Sequence, residues 1–179
     1  MSEKSVDLDE MQSRMQALRQ GFRTLLMATV NAEGQPDASY APYVEDAGNY
    51  YVYVSDLSAH TANLIERGMA DILFIENEGD AAHPFARKRA TFRCRCEEIE
   101  RGSEEFERIL DRFGDRFGDL IDMLRSLTDF HLVRLVPGKG TFVAGFAKAF
   151  EIDDAKEGGL RHLDGPVRRR DSKDPLEED

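Results

Sequence analysis

The chain has 179 residues with 24 basic and 35 acidic side chains, a formal net charge of −11, and 41% apolar and 33% charged residues. That length suits one domain burying roughly two-thirds of its unfolded-chain surface, and the apolar content excludes wholesale disorder. The acidity disfavours nucleic acid as a partner, because phosphate binding depends on clustered positive charge. No apolar run reaches the ~20 residues of a membrane span. The opening residues Met1–Asp7 lack the basic and apolar regions of a signal peptide, so a cytoplasmic location away from membranes is expected.

Leu8, Met11, Met15, Leu18 and Phe22 recur at helical spacing, with Asp7, Asp9 and Glu10 at the positive end of the helix dipole and Gly21 near the stop. Thr24–Val30 and Asp37–Val44 read as strands joined by the turn at Gly34 and Pro36. A second turn around Gly48 leads to Tyr50–Ser55, dense in aromatic and β-branched residues, hence a strand. Ser58–Arg67 reads as a short helix stopped by Gly68, followed by a strand over Met69–Glu76 and a polar loop over Asn77–Pro84. In Arg89–Glu100 the residues Ala90, Phe92, Cys94 and Cys96 alternate with polar neighbours, so one face is buried.

Cys94 and Cys96 then read as small apolar core residues, not as redox or metal groups. Ser103 opens a helix carrying Phe106, Ile109, Leu110 and Phe113. A second carries Phe117, Leu120, Ile121 and Leu124, and Gly114 and Gly118 are expected to break or kink the run. Strands Asp129–Val136 and Thr141–Ile152 are expected on either side of a turn at Pro137–Gly140. Among the last 27 residues, 15 are charged, which marks residues 153–179 as a tail, flexible or docked, after a domain spanning 1–152. Hairpin-joined strands with peripheral helices give an α+β, mainly β fold, a small barrel and not a βαβ sheet.

Two segments invite a ligand. At Ser55–Asn63 a strand runs into a helix start, where Ser58, Thr61 and the first-turn amides could receive a phosphate and His60 could add a donor, although Ser58 as a plain cap explains the local pattern more simply. Arg87, Lys88, Arg89, Arg93 and Arg95 form a basic row that needs counter-charges, either the acids from Glu97 to Glu107 or an anionic ligand. Arg87 and Arg89, at the loop end, are the ligand candidates. His131 falls in a strand and reads as a half-buried structural residue. With no self-sufficient nucleophile or acid–base pair, an enzyme built this way would rely on a cofactor.

Thr24–Thr29, Gly34–Val44 and Tyr50–Leu64 together resemble the pyridoxamine-phosphate-oxidase-like FMN-binding split barrel. Ala86–Arg89, Thr128–Pro137 and Gly140–Ala149 resemble its HugZ-type haem-utilisation branch. The resemblance implies a homodimer of six-stranded antiparallel split β-barrels with cofactor sites at the subunit interface. It implies that Ser55, Ser58, His60, Thr61 and Asn63 contact a cofactor phosphate, that Ser39, Tyr40 and Ala41 lie beside the ring system, and that Arg87, Lys88 and Arg89 assist. For haem-degrading members it implies an iron-ligating histidine in the C-terminal segment, for which His162 is the candidate, with Asp129 as the assisting acid; Arg168, Arg169 and Arg170 read as a solvated charge run or as partners for haem propionates. The leading expectation is an FMN-dependent oxidoreductase acting on a small-molecule substrate. The alternatives are a haem-binding or haem-degrading protein and a cofactor-free structural or regulatory dimer.

Overall fold

The computed structural model describes residues 7–146, 148–153 and 159–163. The segment Met1–Val6, most of the tail and Arg168–Arg170 lie outside the described residues. Helix α1 (Leu8–Gln20) starts at Asp7, whose Oδ1 accepts from the amides of Asp9 and Glu10 at 3.0 and 3.1 Å, and buries Met11 and Met15. It is followed by β1 (Thr24–Val30), β2 (Pro36–Asp46), β3 (Asn49–Ser55), α2 (Ala59–Arg67), β4 (Met69–Ile75), β5 (Arg89–Ile99), α3 (Glu104–Phe117), α4 (Leu120–Arg125), β6 (Phe130–Gly145), β7 (Lys148–Ile152) and β8 (Leu160–His162). Two short 3-10 turns, Glu78–Asp80 and Pro84–Ala86, interrupt the loop before β5.

The strands hydrogen-bond in the order β3-β2-β1-β4-β5-β6, and β6 returns to β3, so six antiparallel strands close into a barrel. Closure gives each of these six a hydrogen-bonded neighbour on both sides. The far half of β6 peels away to pair with β7, and β7 with β8, so part of the segment after residue 152 is docked on the sheet.

Two apolar clusters hold the molecule. One fills the barrel with Leu25, Met27, Tyr43, Tyr50, Phe74, Phe92 and their neighbours, with Met11 and Met15 of α1 packed into it. The other lies outside, where Tyr51, Tyr53 and Leu132 meet Phe106, Ile109, Leu110 and Phe113 of α3. Strand β3 serves both, with Tyr50, Val52 and Val54 in the inner cluster and Tyr51 and Tyr53 in the outer one. That is why its sequence is apolar throughout, not alternating.

Two expectations are corrected here. Pro137–Gly140 is not a turn: β6 runs unbroken through it for 16 residues. Its pairing with β5 slips between Phe92 and Cys94, which face Gly140 and Pro137, so three steps of β6 oppose two of β5 in a bulge. A bulge tolerates a proline that lacks a ladder donor. Gly114 likewise does not break α3, which passes through it and stops at Gly118, where φ is +82°.

Candidate functional site

At the end of β3, Ser55 Oγ donates to Asp129 Oδ2 at 2.8 Å and accepts from the Leu57 amide at 3.2 Å, while the Asp56 amide donates to the Asp129 carbonyl at 2.8 Å. The turn into α2 is thereby tied to the start of β6, and Leu57 protrudes from it, 93% exposed. Ser58 stands at the N-cap position with extended backbone but makes no capping hydrogen bond through its side chain. Thr61 faces inward, its hydroxyl donating to the Ser55 carbonyl at 2.6 Å, and Asn63 Nδ2 donates to Thr29 Oγ1 at 3.0 Å. Both residues are buried and bonded within the fold. His60 is half-buried, and burial lowers its pKa against a smaller opposing pull from Asp37.

The β2 residues divide between the two faces of the strand. Ala41 is buried in the barrel core, and Ser39 turns inward a buried hydroxyl that has no hydrogen-bond partner among the described residues. Tyr40 points outward, 65% exposed, opposite Leu26 of β1, which in turn faces Leu73 of β4. With Ala28 and Ala38 beside them, these residues make an apolar patch on the outer sheet face.

In the basic row, Arg87 donates to the Glu76 carbonyl at 2.8 Å and pairs with Glu78 at 3.1 Å, and Lys88 pairs with Glu76 at 2.7 Å. The hydrogen bonds from Lys88 hold the Glu76 carboxyl below the usual range. Arg93 pairs across the ladder with Asp71, and Arg95 with Glu97. Arg89 is the exception: it donates to the Arg87 carbonyl at 3.2 Å and forms no ion pair among the described residues. Of the acids expected to neutralise the row only Glu97 does so; the others that do, Asp71, Glu76 and Glu78, come from β4 and the loop after it. Nearby, His83 Nδ1 accepts from the Phe85 amide and stacks on the Phe85 ring, which is 81% exposed.

The two candidate segments do not meet within one chain. Ser55 pairs with Phe130 at the start of β6, whereas Arg89 pairs with Val143 near its far end. His162 sits on β8 opposite Phe150, edge-on to its ring, at the same far end and away from Asp129.

A third cluster was missed by sequence reasoning. His131 Nδ1 lies 2.6 Å from Glu98 Oε1, and its Nε2 lies 2.9 Å from Asp56 Oδ1. The second contact is not aligned as a hydrogen bond, and Nε2 has no other partner among the described residues. His131 and Glu98 line an open cleft of about 460 Å³ together with Arg101, Phe106 and Thr128. The three residues come from separate parts of the chain, so only strand register could have announced them.

Comparison with known proteins places this geometry. The pyridoxamine 5'-phosphate oxidase family matches residues 11–144. The haem oxygenase HutZ of Vibrio cholerae is 39% identical over 171 residues, covering 93% of this chain and 97% of HutZ. A crystal structure of Vibrio cholerae HutZ, described there as a haem storage protein, aligns at 41% identity and a TM-score of 0.67 over 71% of this chain and 89% of that one. Campylobacter jejuni ChuZ aligns at 33% identity and a TM-score of 0.80, over 89% of this chain and 64% of ChuZ. These likenesses overturn the leading expectation of an FMN-dependent oxidoreductase, because the relative sharing nearly its whole length with this chain is a haem oxygenase.

Proposed function

This chain belongs to the pyridoxamine 5'-phosphate oxidase family, and on that premise we propose that it binds haem and opens the ring oxidatively. The observation that carries the reading is the 39% identity with a haem oxygenase, sustained over 171 residues. The donor set fits such a substrate. Haem is a flat apolar ring with two carboxylates, and Arg89 is a half-buried guanidinium without a carboxylate of its own among the described residues. Tyr40, Leu26, Leu57 and Phe85 offer exposed apolar surface. His60, its pKa lowered by burial, presents a neutral imidazole at neutral pH, able to accept a hydrogen bond or offer a lone pair.

Bound haem is at once substrate and the source of the redox chemistry that opens it; the protein orients it and limits water. Because Arg89 and the Ser55–Asp129 turn lie at opposite ends of β6, a site drawing on both takes one end from each of two chains. The exposed apolar face of β1, β2 and β4 is the surface through which the protomers pair in this reading.

Haemin titration of the purified protein, followed at the Soret band and through gel filtration, tests it. A band travelling with a two-chain particle, and lost under reductant and air as an open tetrapyrrole forms, is expected. Arg89→Ala should weaken haemin binding roughly tenfold to a hundredfold, the worth of a charge-assisted hydrogen-bond pair. Absence of a Soret band at saturating haemin sinks the proposal; stable haem that resists reductant and air reduces it to storage.

A further inference from the structure

His131 is bracketed by two carboxylates on different elements, Glu98 of β5 and Asp56 of the β3–α2 turn, one at each ring nitrogen. A neutral imidazole carries one N–H and can donate to only one of them; the imidazolium donates to both. The turn that Asp56 belongs to is otherwise held to β6 by the Asp56 amide on the Asp129 carbonyl and by Ser55 on the Asp129 side chain. We propose that His131 is a proton-dependent clamp: as the imidazolium it ties the β3–α2 turn to β5 through Asp56 and Glu98, and on losing a proton it releases Asp56.

Asp56 is the carboxylate released, because the contact at Nδ1 is the shorter and the one at Nε2 is out of line. The other charged groups around the ring are few. Glu100 and Arg101 line the same cleft, and Arg101 is engaged by the carbonyls of Arg125, Leu127 and Phe130. Asp129, two residues before His131, is held by Ser55. What the clamp positions, the turn carrying Ser55 and its bond to Asp129, rests on the haem reading; the clamp itself does not.

The experiment uses the ligand-free protein. Hydrogen exchange at the Asp56 and Leu57 amides, corrected for intrinsic rates, is followed from pH 5 to 9. Wild-type protection should fall about tenfold from pH 5 to pH 9. His131→Gln should show the low protection at every pH, and so should Asp56→Ala, a change at an exposed side chain that removes the carboxylate the clamp holds. A flat wild-type profile, or a step that survives in Asp56→Ala or His131→Gln, overturns the clamp. A protein that shows the step but binds no haemin would keep the clamp and lose the haem reading.

Discussion

At Gly140 a β-carbon would lie 2.1 Å from the carbonyl oxygen of Thr91 on the neighbouring strand and 3.1 Å from the Phe92 ring. The backbone of β5 cannot give way there, because Phe92 is fully buried and its neighbours Thr91 and Cys94 are registered on β4 and β6. Gly140→Ala should therefore cost about 3 kcal/mol or more, read as a lowered denaturant midpoint. A wild-type midpoint would mean that the strands sit farther apart. The same residue explains the misplaced turn. Glycines after a proline read as a turn in one dimension, while the reason for this glycine is the close approach of the neighbouring strand β5, 49 residues earlier. Residues whose role is local were legible: Gly68 ends α2 at φ +63°, Ser103 Oγ accepts from the Phe106 amide, and Cys94 and Cys96 are buried free thiols.

Among elements, α3 shows how a polar network docks a helix that apolar packing alone would leave free to slide. Its inward face is Phe106, Ile109, Leu110 and Phe113, the stripe read from sequence. Its register is set by Arg134 of β6, which bonds Glu97 of β5 and, at 2.8 Å, Glu105 of α3, while the Tyr51 hydroxyl shares Glu105 at 2.8 Å. Arg134→Ala leaves the half-buried Glu105 without its cation and Glu97 with Arg95 alone. The expected loss is about 2 kcal/mol, below the 3–5 kcal/mol of a fully buried pair because water still reaches these groups. Urea unfolding should show a lower midpoint with unchanged slope; an unchanged midpoint would assign the docking to the apolar stripe alone. The candidate site follows the same division. Ser55, Ser58 and His60 do cluster at one strand-to-helix turn, as their closeness in sequence implied, whereas the pairing of Ser55 with Asp129 and of His131 with Asp56 and Glu98 needed β3, β5 and β6 in register.

For the whole molecule, closing the barrel buries acidic protons along with apolar surface. Burial pushes the Cys96 thiol up to about 12 and raises Cys94 and Tyr50 as well. In each case the fold favours the neutral form, so the contribution is complete below the unfolded value, about 8.5 for a thiol and about 10 for a tyrosine. It declines as pH climbs from there toward the folded value. Stability should thus fall between about pH 9 and 11, measured by guanidinium unfolding, and Cys96→Ala should flatten part of that slope. A midpoint constant across this range would show that the thiol proton is not locked in the core.

The sequence by itself determined where the main helices and most strands lie, which faces are apolar, and the family, since periodicity, glycine stops and short motifs are properties of neighbouring residues. Tertiary structure alone decided that β6 runs on through Pro137–Gly140, that Thr61, Asn63 and Ala41 turn inward, that Arg89 has no carboxylate partner among the described residues, and that the two candidate segments stand at opposite ends of one strand. Those outcomes depend on pairing register and barrel closure, which join residues tens of positions apart and leave no mark on either segment alone.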